Sequence, residues 1–459
     1  MIDLLVELGI LAATTAGAVW VTMRTRAGRL IAWRAAAQQS GLTVVEVDVR
    51  ACCLVAQTGA LEVSFRRPPV RKDLGVVLAE AIHRSTPSPG TLITIKGLAP
   101  ALGLAPERGA PVLGRGGQGD LQLGDPTFDS AVFVQGPPAL LFALLDAPTR
   151  RQAVQAMVWD VVVVAGGQLR VRLPESSATL LPTMLRPLLV LAERLRQPAD
   201  IAAVLAAHVR DETMAEVRRL NLLALAREYP EHAATRDALR HALSDDDDEI
   251  RLRAALMLGP EGLPVLREMA LRETGDESCT ARAVEALGPE LGGETAHALL
   301  ARALRERRHL LARAAMVVLA RVGDTEALRT LSRILAVEKG DLAEAAAVAL
   351  GGSNRAAAEA PLVAALDHAT DFVRQAAAQG LGRVGSIAAV LPLREAEEGY
   401  PGDTALRRAA REAVAAIQAR SGEASPGRLT LAEGESGRLS LTEGNEGRLS
   451  LAEPSRARR

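Results

Sequence analysis

The sequence predicts a mainly α-helical protein, an α-solenoid preceded by a small α+β domain and by an N-terminal transmembrane helix. Three observations lead to this fold class. Residues 198–420 repeat with a period of about 31 residues, residues 41–197 alternate strand-like and helix-like runs, and residues 4–23 form an apolar segment. The remaining residues, 421–459, contain three short repeats of a different kind.

The helical period is marked by five leucines, each of which closes one predicted helix. The steps between them are 29, 32, 31 and 31 residues, and an alanine stands four positions before each one. These leucines are Leu258, Leu287, Leu319, Leu350 and Leu381. A fixed period of this size with helical spacing indicates stacked helical hairpins, because one hairpin cannot bury its apolar face alone. We therefore expect a solenoid over residues 198–420.

Two stretches carry the repeat most clearly. Residues 371–385 read DFVRQAAAQGLGRVG, and residues 248–259 read DEIRLRAALMLG. Their pattern resembles the D-x-x-V-R-x-x-A-A-x-A-L-G signature of the short bacterial HEAT repeat, also called the PBS-lyase-like HEAT repeat. The resemblance implies an α-solenoid over about half of the chain, but a fold alone does not assign a function. Some similar proteins are enzymes, among them an iron-dependent hydroxylase that holds iron with His-Glu steps, and this sequence has no His-Glu dipeptide.

The N-terminal segment predicts a membrane anchor at residues 4–23. Its apolar run has the length of about 20 residues that spans a bilayer, with Glu7 as its one charged side chain. The arginines that follow it are Arg24, Arg26, Arg29 and Arg34. Because positive residues stay on the cytoplasmic side, we expect a single-pass inner-membrane protein with the bulk of the chain in the cytoplasm.

Residues 41–197 predict an α+β domain with a mostly antiparallel sheet. The β-rich runs on either side of Gly166-Gly167 are typical of a hairpin. The string GDPTFD contains Asp125 and Asp129, for which two interpretations stay open. Aspartate in such a string caps turns and helices, whereas two carboxylates beside one substrate serve acid–base catalysis, with Asp160 as a third candidate.

The composition argues against several classes of function. The net charge is −1 and aromatic residues make up 2% of the chain, which disfavours a protein that coats or stacks on nucleic acid. The three cysteines and seven histidines do not stand at metal-ligand spacings, so we expect no metal and no cofactor. The acidic run at 244–249 lacks the spaced ligands of an EF-hand and predicts a capping loop before a helix.

Two features are candidates for protein contacts. An arginine cluster would meet an acidic partner or anionic lipid, or it is a solvated helix face. Its members are Arg302, Arg305, Arg307, Arg308 and Arg313. The tail, residues 421–459, has the composition of a disordered segment and repeats Gly-Arg-Leu-Ser/Thr-Leu with a period of ten. Its alternating leucines suit strand addition to a partner's sheet, or the tail is a repeat-expanded linker. The leucines of the second and third copies are Leu439, Leu441, Leu449 and Leu451.

The solenoid, with no catalytic constellation in the sequence, favours a non-enzymatic scaffold. It would bind an unknown protein partner at the cytoplasmic face of the inner membrane, through the solenoid face built from the second helix of each hairpin. One alternative is an enzyme, or the regulatory subunit of an enzyme, with its site in residues 41–197. Another is a lyase-like HEAT protein that acts on a chromophore or cofactor.

Overall fold

The structure is a computed structural model that describes residues 26–67, 90–107, 120–159, 162–174, 181–400 and 402–424. The protein is mostly helical and contains one antiparallel sheet, as the sequence predicts. The chain divides into two compact units between Leu258 and Gly259.

The prediction of a single-pass inner-membrane protein is corrected by the structure. Among the described residues, no helix combines the length and the apolar composition that a bilayer span requires. Three of the arginines that supported the orientation belong to helix α1 (Arg26–Gln39), and Arg29 is buried there together with Trp33. The segment chosen as the anchor, residues 4–23, lies outside the described residues.

The described strands of the first unit form one eight-stranded antiparallel sheet. They are β1 (Thr43–Asp48), β2 (Cys53–Thr58), β3 (Leu61–Arg66), β4 (Gly90–Lys96), β5 (Gly103–Pro106), β6 (Val132–Gln135), β7 (Val162–Ala165) and β8 (Gln168–Pro174). Their order across the sheet is β1-β2-β3-β4-β8-β7-β5-β6. The predicted hairpin is confirmed as β7–β8, which turns at Gly166 and Gly167 with φ of 56° and 74°. Glycine adopts these left-handed angles without steric cost.

Helices complete the first unit and share the core of the sheet. After α1 come α2 (Pro126–Asp129), α3 (Pro138–Leu144), α4 (Ala147–Trp159), α5 (Leu181–Arg194), α6 (Ile201–Asp211), α7 (Ala215–Glu228), α8 (Ala233–Ala242) and α9 (Asp248–Leu258). Trp33 of α1 stacks on Phe65 of β3 with ring centroids 6.2 Å apart, and its Nε1 donates to Thr91 Oγ1 at 3.1 Å. Leu205 and Leu222 bring α6 and α7 into the same hydrophobic cluster.

The second unit is a series of helices joined by short loops. They are α10 (Leu263–Leu271), α11 (Glu277–Leu287), α12 (Gly293–Glu306), α13 (His309–Val322), α14 (Thr325–Val337), α15 (Asp341–Gly352), α16 (Glu359–Ala364), α17 (Asp371–Val384), α18 (Val390–Gly399) and α19 (Thr404–Ala424). The odd-numbered helices α11 to α19 pack against one another in order. Each even-numbered helix packs beside the odd-numbered helix that follows it. The unit is therefore built from helix pairs that repeat.

The repeat positions identified in the sequence lie in the core of this stack. The alanines four positions before the closing leucines have no exposed surface, and neither do Leu319, Leu350 and Leu381. These alanines are Ala283, Ala315, Ala346 and Ala377. A small side chain at this position lets neighbouring odd-numbered helices approach closely, while the leucine fills the space between layers.

The arginine of the repeat pattern links one helix pair to the next. The Nη1 of Arg374 donates to the carbonyls of His368 and Ala369 at 2.8 and 3.3 Å, and its Nη2 donates to Asp403 Oδ2 at 3.1 Å. Asp403 also caps α19 by accepting from the Leu406 backbone N–H at 2.9 Å. Since Asp403 lies 29 residues after Arg374, one buried guanidinium fixes both a loop and the start of the next repeat.

Candidate interaction surface

A cleft in the second unit lies where the α12–α13 loop meets the α14–α15 loop, and its volume is about 550 Å³. Arg307 and Gly340 turn these two loops with φ of 57° and 65°. The left-handed region is uncommon for arginine and free of steric cost for glycine. The cleft thus arises from two tight turns at equivalent places in neighbouring repeats.

The cleft is lined by three basic side chains and two carboxylates. Arg307, Arg308 and Lys339 contribute the positive charges, and Glu338 and Asp341 contribute the negative ones. Within the described residues, neither Arg307 nor Lys339 forms an ion pair with a carboxylate. These two cations are therefore open to a charged group from outside the unit.

Two exposed aliphatic residues are sequence neighbours of residues that line the cleft. Leu310 follows the α12–α13 loop and is 47% exposed, and Val337 precedes the α14–α15 loop and is 70% exposed. We call Arg307, Leu310, Val337 and Lys339 the loop edge. Phe372 occupies in α17 the position that Leu310 occupies in α13 and is also half exposed.

The structure separates the predicted arginines by role. Arg302 Nη1 donates to Leu271 O and its Nη2 donates to Arg272 O, both at 3.3 Å. These carbonyls end helix α10, where a positive charge is favourable. Arg305 is exposed and makes no ion pair among the described residues. Arg302 thus joins two repeats, whereas Arg305 faces solvent.

Arg308 both contacts the preceding repeat and lines the cleft. Its Nη1 donates to Glu273 O at 3.3 Å, and it lies 3.9 Å from Glu306 Oε2 while it lines the cleft. The Glu306 contact is long and half exposed, so it adds little to stability. Arg308 is held in place mainly by the carbonyl that it contacts.

Replacing Arg302 with methionine is expected to lower the stability of the second unit by about 1–2 kcal/mol, since two charge-assisted hydrogen bonds to helix-end carbonyls are lost. The matched control, Arg305→Met, is expected to leave stability within about 0.5 kcal/mol. Chemical denaturation followed by circular dichroism at 222 nm measures both. Equal effects of the two variants would contradict the division of roles.

The two aspartates of the GDPTFD string hold the local backbone. Asp125 caps α2 by accepting from the backbone N–H groups of Thr127 and Phe128 at 3.2 and 3.3 Å. Asp129 accepts from the N–H groups of Leu123 and Gly124 at 2.9 and 3.0 Å. The turn interpretation therefore accounts for both carboxylates. Asp160, the third catalytic candidate, lies outside the described residues.

Asp125 also belongs to a buried ion network around Arg150. The Arg150 guanidinium donates from Nε to Asp125 Oδ2 at 2.8 Å, and from Nη1 to Glu212 Oε2 at 3.0 Å and to Leu145 O at 2.9 Å. Burial raises the pKa of Asp125, but the hydrogen bond and charge of Arg150, together with the backbone N–H groups, hold that pKa below its usual value. This network ties α4 to the GDPTFD turn and to the end of α6.

The acidic run at 244–249 is a capping loop, as predicted. Asp245 forms a two-point contact with Arg218, with Nη2–Oδ1 at 2.7 Å and Nε–Oδ2 at 2.8 Å. Burial raises the pKa of Asp245, but the hydrogen bond and charge of Arg218, together with the Asp247 backbone N–H and His241, hold that pKa below its usual value. Asp247 caps α9 by accepting from the N–H groups of Glu249 and Ile250 at 3.0 and 3.1 Å. Across the described ranges, no group of three or more His, Cys, Asp or Glu side chains is placed to hold a metal ion.

Three of the four loop-edge residues are not among the site candidates that the sequence predicts: Leu310, Val337 and Lys339. The sequence does contain one indication of this site: an apolar residue, Val337, directly precedes a Glu-Lys-Gly loop, and lysine is rare in this chain. The tail candidates lie outside the described residues: Leu439, Leu441, Leu449 and Leu451.

Comparison with known proteins gives no relative that defines a function. No protein-family model matches the chain, and no curated protein matches it. Among solved structures, human deoxyhypusine hydroxylase in complex with glycerol matches with 17% identity and a TM-score of 0.21, over 48% of this chain and 96% of that one. A TM-score this low supports no statement about fold or activity.

Proposed function

We propose that this protein is a non-enzymatic scaffold whose HEAT-like helical repeats bind a protein partner through the loop edge. The observation that carries the proposal is that exposed Leu310 and Val337 are sequence neighbours of the two loops whose Arg307 and Lys339 line the cleft. An aliphatic pair next to two cations without acidic partners fits a partner surface with an apolar centre and carboxylates at its rim.

Affinity and specificity would come from different residues of the loop edge. Burial of exposed aliphatic surface contributes about 25 cal/mol per Å² and has no direction. Charges at the rim orient the partner and exclude competitors that are themselves basic. Arg307 and Lys339 are suited to this second task because both are exposed and neither forms an ion pair with a carboxylate of the described residues.

Site-specific photo-crosslinking in cells tests the proposal. A benzophenone amino acid at Val337 of the full-length protein is expected to give one stoichiometric adduct. Adding Arg307→Glu is expected to reduce that adduct about tenfold, since reversing a rim charge removes complementarity. The matched control is Arg313→Glu, which reverses an exposed arginine of α13 outside the cleft lining.

An adduct that survives Arg307→Glu and Lys339→Glu as well as it survives Arg313→Glu would contradict the loop edge as the binding site. Thermal melts of all variants must coincide with the parent protein, because a loss of folding would mimic a loss of binding.

A further inference from the structure

The two edges of the eight-stranded sheet differ. At the β6 edge, Leu121 N–H donates to Val134 O at 3.1 Å, and Val134 N–H donates to Asp120 Oδ1 at 2.8 Å. At the other edge, β1 pairs with β2, and no residue of the described ranges adds a backbone hydrogen bond on its free side. An open edge strand presents unpaired backbone groups that accept another strand.

Strand β1 has an apolar face and an acidic face. After a bulge, regular pairing begins at Glu46. Val47 lies opposite Leu54, which is fully buried, so Val47 belongs to the core face, while Glu46 and Asp48 lie on the other face. Val47 is 41% exposed; Val45, the unpaired residue of the bulge, is 59% exposed, and Val49, in the turn that follows β1, is 61% exposed. The core face of the sheet therefore ends at this edge with aliphatic surface in solvent.

The tail pattern is the complement of this edge. In an extended chain, Arg438 and Ser440 point to one face, and Leu439 and Leu441 point to the other. Added beside β1, such a segment would place its leucines on the same face as Val47 and its arginine next to the acidic face. Cross-strand pairs of both kinds are favourable. The pattern recurs at 428–431 and 448–451.

We propose that the free edge of β1 accepts one Arg-Leu-Ser/Thr-Leu unit from the tail of a second copy of this chain as an added strand. Each chain carries three such units for its one β1 edge, so one tail offers several chances of rebinding and raises the apparent affinity. Direct pairing of two β1 strands is disfavoured, because Glu46 and Asp48 of one strand would lie opposite the same carboxylates of the other. The resulting contact makes the protein self-associate.

The site is separate from the loop edge, and the inference does not rest on the proposed function. Sedimentation velocity of the full-length protein over a range of concentrations tests it. Val47→Lys places a charge on the core side of the edge and is expected to weaken self-association by about tenfold or more. Val49→Lys is a second variant, in the turn that directly follows β1. Ile31→Lys is the matched control, since Ile31 is 68% exposed on α1.

A mixing experiment identifies the occupant. One variant has the β1 change Val47→Lys and an intact tail, and the other has an intact β1 and serine in place of the tail leucines. The changed leucines are Leu429, Leu431, Leu439, Leu441, Leu449 and Leu451. Each variant alone is expected to be monomeric, while a mixture with one fluorescently labelled chain is expected to form a one-to-one complex.

Charge-reversal variants test whether the tail arginine lies next to Glu46 in the added strand. Glu46→Arg is expected to weaken association, and Glu in place of Arg428, Arg438 and Arg448 is expected to restore it. A wild-type protein that stays monomeric, a mixture that forms no complex, or association that survives Val47→Lys and Val49→Lys would each overturn the proposal. None of these results bears on crosslinking at Val337, so the two proposals fail independently.

Discussion

Replacing Arg150 with methionine is expected to destabilise the first compact unit by about 3–5 kcal/mol, because one partner of a buried ion network is lost. Methionine fills much of the arginine volume but leaves two carboxylates with no cation. The Glu212 side chain is 3% exposed and that of Asp125 is 17% exposed, so water replaces the lost contacts poorly. The carbonyl of Leu145 also loses its donor.

Tryptophan fluorescence during urea unfolding measures this effect. Trp33 is fully buried in the core of the first unit and reports on its unfolding. The matched control is Arg151→Met, which changes an exposed neighbour and is expected to shift stability by less than about 0.5 kcal/mol. Combining Arg150→Met with Glu212→Gln is expected to recover part of the loss, since one uncompensated charge is removed. Equal midpoints for Arg150→Met and Arg151→Met would contradict the network.

The same variant has an expected pH dependence with a definite sign. In the wild type the pKa of folded Asp125 lies below its usual value, so its contribution is present above the unfolded pKa and is lost as pH falls through the folded pKa. Without Arg150, burial is the largest remaining influence and raises the pKa of Asp125. The stability difference between wild type and Arg150→Met should therefore be largest near neutral pH and shrink below about pH 4. A difference that stays constant down to that pH would show that Asp125 does not carry the effect.

The helical repeats could be predicted from the sequence because the same packing requirement acts at the same position of each repeat. A position that must be alanine in every repeat leaves a period in the sequence, and Ala283, Ala315, Ala346 and Ala377 are all buried as that period requires. The β7–β8 hairpin was likewise readable from its two glycines. The pairing of β4 with β8 was not, because it joins Ile93 to Val171 across a long stretch of chain with no local signal.

The candidate site was predicted only in part for the same reason. Arg302, Arg305 and Arg308 are neighbours in sequence, which suggested one patch. Their roles differ because α10 ends near two of them in space, about one period earlier in the chain. Lys339 comes to the cleft from the next repeat. It is too far along the chain from the arginine cluster for the sequence to show that they meet.

Glycines that follow the closing leucines serve two different purposes, which a sequence period alone does not distinguish. Gly259 and Gly288 have φ of 59° and 53° and turn the chain after the helix. Gly351 and Gly382 lie inside α15 and α17 and meet a neighbouring helix: an added Cβ on Gly351 would lie 2.4 Å from the Cα of Gly380, and one on Gly382 would lie 3.1 Å from the Cα of Ala413. The first purpose requires backbone freedom, and the second requires the absence of a side chain.

Gly351→Ala is therefore expected to destabilise the second unit by about 1–3 kcal/mol, because its methyl group would overlap backbone that cannot rotate away. Gly352→Ala is a control one residue further in the same helix. An added Cβ there meets nothing within 4 Å, and alanine in a helix is better than glycine by about 0.5–1 kcal/mol. Two identical substitutions at adjacent positions should then change stability in opposite directions.

Circular dichroism at 222 nm during thermal unfolding measures the sign of each change, and hydrogen exchange of peptides from α15 and α17 locates it. Opposite signs, with faster exchange in both helices for Gly351→Ala, would establish that the odd-numbered helices meet backbone to backbone at this glycine pair. If Gly351→Ala stabilised the protein as Gly352→Ala does, helix propensity would outweigh the contact. The two helices would then have to lie further apart than the Gly351–Gly380 approach requires, and the glycine of the repeat would be explained by helix ending alone.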